Sequence, residues 1–156
     1  MDINDYLVDQ AGNDWSNMLR DWTPPLPPSF TLWFVNRFGD AFVVDDGGSI
    51  NLLDVGAGTY THLAADRAQF AELLGHGDNA NNWLLIPLVD ACQEAGMTLG
   101  PGQCYGFKSP PVLGGKYEVA NIKPIDLSVH YSFLADIYSQ TKNLPDGTKI
   151  KIVVVD

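Results

Sequence analysis

Four short strand-like runs between residues 31 and 63 constrain the fold of this chain more than any other feature. The runs are rich in β-branched and aromatic residues, which favour extended backbone, and they span residues 31–37, 41–45, 49–55 and 59–63. The second turn, made by Asp46, Gly47 and Gly48, has the residues that a tight hairpin requires. Because strands joined by such brief turns pair antiparallel, we predict a meander.

Helical patterns flank these strands. Residues 67–74 follow Asp66, with Gln69 placed as in a capping box. A second helix is predicted to end at residue 95 and to be capped by Asn81 or Asn82, with Pro87 either in its first turn or at a kink. Residues 129–144 form a third helical pattern, and strands are predicted over residues 116–121 and 149–155.

Runs of strands followed by runs of helices indicate an α+β fold, mainly an antiparallel sheet flanked by helices. At 156 residues we expect a single domain over residues 1–156. Residues 1–28 form a helical and proline-rich lead-in, in which Trp15 and Trp22 share one apolar helix face.

The composition is that of a globular protein, with 46% hydrophobic and 18% charged residues. No apolar run is long enough to span a membrane, and the acidic N-terminus lacks the basic start of a signal peptide. We therefore expect a cytoplasmic protein that does not bind membranes. In that reducing compartment, Cys92 and Cys104 are expected to be free and buried.

The charge of the chain is distributed unevenly. The first hundred residues contain fourteen acidic residues and three arginines, a net charge of −11, whereas the remainder carries +1. Such a field repels nucleic acid and attracts a basic protein, although acidic surfaces also serve solubility alone. On composition alone, solubility is the favoured explanation of this acidic surface, and the asymmetry argues against binding to nucleic acid.

A glycine motif invites an enzymatic interpretation. Asp54, Gly56 and Gly58 resemble the first motif of methyltransferases that use S-adenosylmethionine, in which a strand runs into a glycine loop at the cofactor. However, Tyr60 stands where a third glycine is expected, and hairpin turns precede the motif where crossover helices would be needed. A strand that ends in a glycine turn is the favoured interpretation.

Other catalytic or metal-binding patterns are weak. The histidines lie far apart, none at a metal-binding spacing with cysteine or another histidine, and no Gly-x-Ser-x-Gly elbow is present. We therefore predict no enzyme activity, no metal and no cofactor.

The segment 103–117 contains prolines, a Gly114-Gly115 pair and aromatic residues, and it predicts a rigid, shaped loop with one of the two glycines at positive φ. With other segments in the same order, it resembles the Tdi1 C-terminal-like family (DUF1851) of type VI secretion system immunity proteins. Those segments are residues 34–40, 50–55, 67–74, 83–95, 96–99, 129–133 and 144–148.

The resemblance implies a protein that binds and neutralises a cognate secreted toxin of type VI or Rhs type, such as a nuclease or an ADP-ribosyltransferase, by occluding its active site. Acids at turns suit a basic toxin cleft as phosphate mimics, and tryptophans suit interface anchors. The candidate partner-binding residues are Asp40, Asp45, Asp46, Asp54, Asp78, Trp15 and Trp22. The alternatives are a methyltransferase-like enzyme and a regulatory scaffold of the SMI1/KNR4-like type.

Overall fold

The computed structural model describes residues 2–144 and confirms the antiparallel meander of an α+β fold. Its strands pair in chain order and are β1 (Phe30–Val35), β2 (Ala41–Asp45), β3 (Ile50–Asp54) and β4 (Thr59–Ala64). Leu53 lies opposite Ala41 on one side and opposite Tyr60 on the other. Strands β1 and β4 are therefore the two edges of this sheet.

Both faces of the sheet are covered, because side chains alternate along each strand and apolar residues occupy both sets of positions. One face buries Val43 and Leu53 against helix α5 (Leu127–Thr141). The other face buries Phe42 against helix α2 (Arg67–Leu74). The meander is thus the central layer of the fold.

The lead-in also packs against α5. It consists of helix α1 (Trp15–Leu19) between two 3₁₀ turns, Ile3–Tyr6 and Arg20–Trp22. The indole N–H of Trp22 donates to the carbonyl oxygen of Tyr131 at 3.2 Å, and the Trp22 side chain is fully buried. The apolar face predicted for this segment therefore belongs to the core.

The cap of α2 is formed as predicted, because the amide of Gln69 donates to a carboxylate oxygen of Asp66 at 2.7 Å. The N-cap of the following helix, α3 (Asn79–Leu84), differs from the prediction. Helix α3 is preceded by Asp78, so the prediction of Asn81 or Asn82 as its cap was wrong.

The helix predicted to end at residue 95 is two helices, α3 (Asn79–Leu84) and α4 (Ile86–Glu94). The break lies at Leu85, which has a left-handed backbone with φ 52°. Pro87 lies in the first turn of α4, which is one of the two places predicted for it. The two helices can consequently run in different directions around Leu85.

A second sheet pairs β5 (Gln103–Phe107) with β6 (Ile122–Asp126), antiparallel. The strand predicted over residues 116–121 was wrong, because these residues belong to a loop that ends in a 3₁₀ turn, Val119–Asn121. The side-chain amide of Asn121 donates to the carbonyl oxygens of Ser109 and Lys116, at 2.9 and 2.8 Å. The loop therefore satisfies its backbone without a strand ladder.

Three further predictions concern the cysteines, the C-terminal segment and membrane-spanning helices. Cys92 and Cys104 are free and buried, as predicted. The strand predicted over 149–155 and the turn after residue 144 lie outside the described residues. Within residues 2–144, no helix is both long and apolar enough to cross a membrane.

His130 is a buried titratable group on α5. Its Nε2 lies 2.8 Å from the carbonyl oxygen of Phe38, so the neutral ring donates its proton there. Burial disfavours the charged imidazolium and lowers the pKa of His130 to about 4, although the hydrogen bond to Phe38 opposes this effect. The folded state therefore resists protonation of this ring.

We predict that this histidine makes the fold sensitive to acid. A depressed pKa contributes stability that is fully present above the unfolded value of 6.5 and is lost as the pH falls toward 4, by about 3 kcal/mol in total. Urea unfolding of the His130→Gln variant should lack this slope between pH 6.5 and 4. The exposed His62, replaced by Gln, is the matched control and should keep the slope. An unchanged slope in His130→Gln would show that other groups cause acid unfolding.

Candidate functional site

A fully buried asparagine organises one end of the meander. The Nδ2 of Asn36 donates to the Asp40 carboxylate and to the carbonyl oxygen of Trp83, both at 3.0 Å. Its Oδ1 accepts the amides of Phe38 and Asp40, at 2.9 and 3.0 Å. All the hydrogen-bonding groups of the side chain have partners, so Asn36 joins the turn after β1 to the end of α3.

Asp40 is not the surface acid that was predicted. Only 6% of this residue is exposed, and its carboxylate also accepts the amide of Val55 at 3.1 Å. Burial raises the pKa of Asp40 well above its usual range, and the nearby charge of Asp54 raises it further. The hydrogen bonds from Asn36 and Val55 oppose the shift. The turn is buried because α3, α5 and β5 all contact it, which the sequence of the turn does not reveal.

Asp40 forms the base of a small pocket, which we call the Asp54 pocket. Its volume is about 220 Å³, and it is lined by Asp40, Leu52, Asp54, Asn82, Trp83, Leu85 and Tyr117. The Asp54 carboxylate accepts the amide of Ala57 at 3.0 Å, and burial raises the pKa of Asp54. Within the described part of the chain, no lysine or arginine lines this pocket. Two carboxyl groups thus share the pocket without a cation.

Two aromatic residues line the same pocket. The Trp83 ring stacks on Phe70 with ring centroids 5.3 Å apart, which fixes its position. Tyr117 is 46% exposed, and its ring meets the edge of Phe107 at 5.4 Å. Burial of its hydroxyl and the negative charges of Asp54 and Asp40 raise the pKa of Tyr117. Aromatic faces beside carboxylates are suited to a cationic side chain.

Tyr117 is positioned by the proline–glycine loop. The amide of Val112 donates to the carbonyl oxygen of Gly56 at 3.1 Å, which ties the loop to the turn after β3. Gly114 has φ 90°, which confirms the prediction that one glycine of the pair lies at positive φ. At Gly115, an added Cβ would overlap the carbonyl oxygen of Ser109. The loop therefore closes on itself where only glycine fits.

We predict that Gly115→Ala destabilises the protein by at least about 3 kcal/mol, because two backbone segments must separate. The matched control is Gly114→Ala, where an added Cβ meets no atom within 4 Å and only the left-handed backbone costs about 1 kcal/mol. Thermal and urea unfolding measure both. Equal stabilities of the two variants would contradict a rigid loop.

The other predicted acids divide into structural and exposed ones. Asp45 accepts the amides of Gly47 and Ser49, at 3.0 and 2.9 Å, and so holds the hairpin between β2 and β3. Asp46 and Asp78 are exposed, and neither lines the Asp54 pocket. Of the predicted acids, the structure brings together only Asp40 and Asp54.

The predicted tryptophan anchors are parts of the core. Trp22 has no exposed surface and lies in the core, and its contact with a partner stays a prediction. Trp15 is half-buried, and its indole N–H donates to the carbonyl oxygen of Gln10 at 2.9 Å. Both rings attach the lead-in to α5, because an amphipathic helix near a terminus still needs a core to cover its apolar face.

The glycine motif forms a hairpin turn. Residues 55–58 connect β3 to the antiparallel β4, with Asp54 opposite Thr59. The methyltransferase motif requires a helix after the glycine loop, and no helix follows this turn directly. Within residues 2–144, no three His, Cys, Asp or Glu side chains are placed to bind a metal ion together.

The sequence prediction missed five of the residues that line the pocket, Leu52, Asn82, Trp83, Leu85 and Tyr117. Tyr117 had one signal in the sequence, its place directly after a glycine pair and a lysine. Pro87 indicated a break in the predicted helix near Leu85, but it did not indicate that Leu85 would line a pocket. Strained backbone positions such as Leu85 are frequent at functional sites, and this one adjoins the pocket.

Comparison with known proteins shows a similarity to a family of immunity proteins. Residues 64–138, just under half of the chain, match the family described as T6SS immunity protein Tdi1, C-terminal. This segment is similar to that family, which confirms the resemblance seen in the sequence. It includes α2 to α4, most of α5, the proline–glycine loop and the pocket residues Asn82 to Tyr117. No match to a curated protein was found.

Proposed function

We propose that the chain binds a cognate secreted toxin of type VI or Rhs type and neutralises it by occluding the toxin's active site. The family match over residues 64–138 supports an immunity role and carries this proposal. An immunity protein needs no catalysis, and we propose none here. Its place of action is the compartment in which the toxin acts, which we expect to be the cytoplasm.

We place the toxin-binding face around the Asp54 pocket. Exposed apolar side chains of the family segment lie beside it, namely Tyr117 and, on the same loop, Val112 at 38% exposure. Exposed aromatic residues near the centre of an interface often dominate binding energy. A basic side chain of the toxin that entered the pocket would meet two carboxyl groups and two aromatic rings.

The size of the pocket favours a side chain over a cofactor. Small-molecule sites usually have volumes of about 300–1,000 Å³, and the Asp54 pocket has about 220 Å³. A protein partner, in contrast, needs a surface of about 800 Å² on each side, within which such a pocket accepts one anchor residue.

Charge supports a basic partner. The chain has a net charge of −10, and Asp46 and Asp78 are exposed acids outside the pocket. Such acids accelerate the encounter with a basic toxin, and they repel nucleic acid. Toxins that recognise nucleic acid or nucleotide phosphates, such as nucleases and ADP-ribosyltransferases, are therefore the proposed class of partner.

We predict that Tyr117→Ala weakens binding to the toxin domain of the effector encoded beside this gene by about tenfold or more, because it removes an exposed aromatic anchor. The matched control is Val129→Ala on α5, an apolar side chain that is 51% exposed and lies outside the pocket. It should change the dissociation constant by less than about twofold. Calorimetry measures both constants.

Protection of cells completes the test. Cells that express the toxin should survive with the parent chain and with Val129→Ala, and should lose viability with Tyr117→Ala. A parent chain that neither binds nor protects against that toxin would contradict the proposed function. Equal protection by all three chains would place the binding face elsewhere on the protein.

A further inference from the structure

The two edge strands of the meander differ in their contacts with the rest of the described chain. Edge strand β1 is covered, because the amide of Val8 donates to the carbonyl oxygen of Val35 at 2.8 Å. The side chain of Gln10 donates to the carbonyl oxygen of Trp33 at 3.0 Å, and Leu7 forms a bridge with Asn36. The lead-in thus occupies the outer side of the second half of β1, along residues 33–36.

In the described part of the chain, edge strand β4 has no such cover. Within residues 2–144, its backbone forms hydrogen bonds only with β3. Three of its six side chains, Thr59, Thr61 and His62, are exposed. Natural edge strands are usually protected by charged residues, proline or strong bulges. Strand β4 contains no charged residue and no proline. Its pairing with β3 is irregular at one place, where the register shifts between Ile50 and Asn51. An open edge of this kind is a template for an added strand.

The open edge lies next to the Asp54 pocket. Thr59 is opposite Asp54, and Thr61 is opposite Leu52, so these four side chains share one face of the sheet. Neighbouring strands lie about 4.8 Å apart, so a strand added to β4 would lie about 10 Å from β3. From there, a long basic side chain beside Thr59 extends toward the Asp54 carboxylate, with its apolar stem over the threonine.

We propose that β4 binds an extended segment of the toxin as a fifth strand, and that a lysine or arginine of this segment enters the Asp54 pocket. Backbone hydrogen bonds along β4 would supply affinity, and the pocket would select the basic residue. Charge complementarity favours a basic toxin segment over a second copy of this chain, because the chain has a net charge of −10. Asp54 lies opposite the first residue of β4, and Asp66 follows its last residue closely. This inference rests on the proposed function.

The test compares two threonines on the two edges of the same sheet. Thr61→Lys adds to the open edge a cation that repels the basic segment, and Thr31→Lys makes the same change at an exposed position of the covered strand β1. Binding to the toxin domain of the neighbouring effector should weaken by about tenfold or more in Thr61→Lys and by less than about twofold in Thr31→Lys.

Hydrogen exchange of the full chain distinguishes the possible outcomes. The amides of β4 should exchange rapidly in the free protein and slowly in the complex. A complex that leaves β4 unprotected, or that tolerates Thr61→Lys, would overturn the added strand while the proposed function stands. Slow exchange of β4 in the free protein would also overturn it, because another part of the chain or a second copy would then occupy the edge. If no complex forms, the proposed function fails, and this inference fails with it.

Discussion

The hydrogen bonds of the buried Asn36 side chain are the interaction on which the functional end of this protein depends. They hold the turn after β1, the Asp40 carboxylate and the carbonyl oxygen of Trp83. Because a buried polar group without a partner costs about 1–3 kcal/mol, this network fixes one arrangement of strand, turn and helix. Asp40 extends it to β3 through the amide of Val55. The walls and the base of the Asp54 pocket follow from these few bonds.

The sequence predicts the local elements of this fold well, because their signals are local. Hairpin turn residues and β-branched runs located the four strands of the meander, and the pair of Asp66 and Gln69 located the start of α2. The sequence also required glycine at positive φ in the loop, which Gly114 confirms. The predictions were wrong where contacts between residues far apart in the sequence determine the local structure. The Asn121 side chain holds a loop where a strand was predicted, and β5 formed from residues that read as loop.

The site was predicted only in part, for the same reason. An aspartate after a turn glycine is usually solvated, and nothing in the turn itself shows that α3, α5 and β5 enclose the turn that carries Asp40. The sequence around Trp15 and Trp22 is also ambiguous, because the apolar face of an amphipathic helix can pack against either the core or a partner protein. The pocket joins the turn after β1, strand β3, the α3–α4 junction and the loop before β6, four segments that are separate in the chain. Their meeting is a property of the tertiary structure.

We propose one binding face, formed by residues of the matched family segment together with Asp40 and the end of β3. This face combines an acidic pocket, two aromatic rings and an exposed apolar loop, and the open edge of β4 adjoins it. Each of these features suits a basic protein partner more than a small molecule or nucleic acid. Neutralisation by occlusion then requires only that this face be complementary to the toxin's active-site cleft.

Hydroxyl-radical footprinting of the complex with the toxin domain tests the central claim most directly, because it reports which aromatic side chains lose solvent contact. The account predicts that oxidation of Tyr117 and Trp83 decreases on binding, whereas oxidation of the half-buried Trp15, which lies outside the pocket, stays unchanged. Protection of Trp15 without protection of Tyr117 and Trp83 would contradict the account and would move the toxin-binding face to the lead-in.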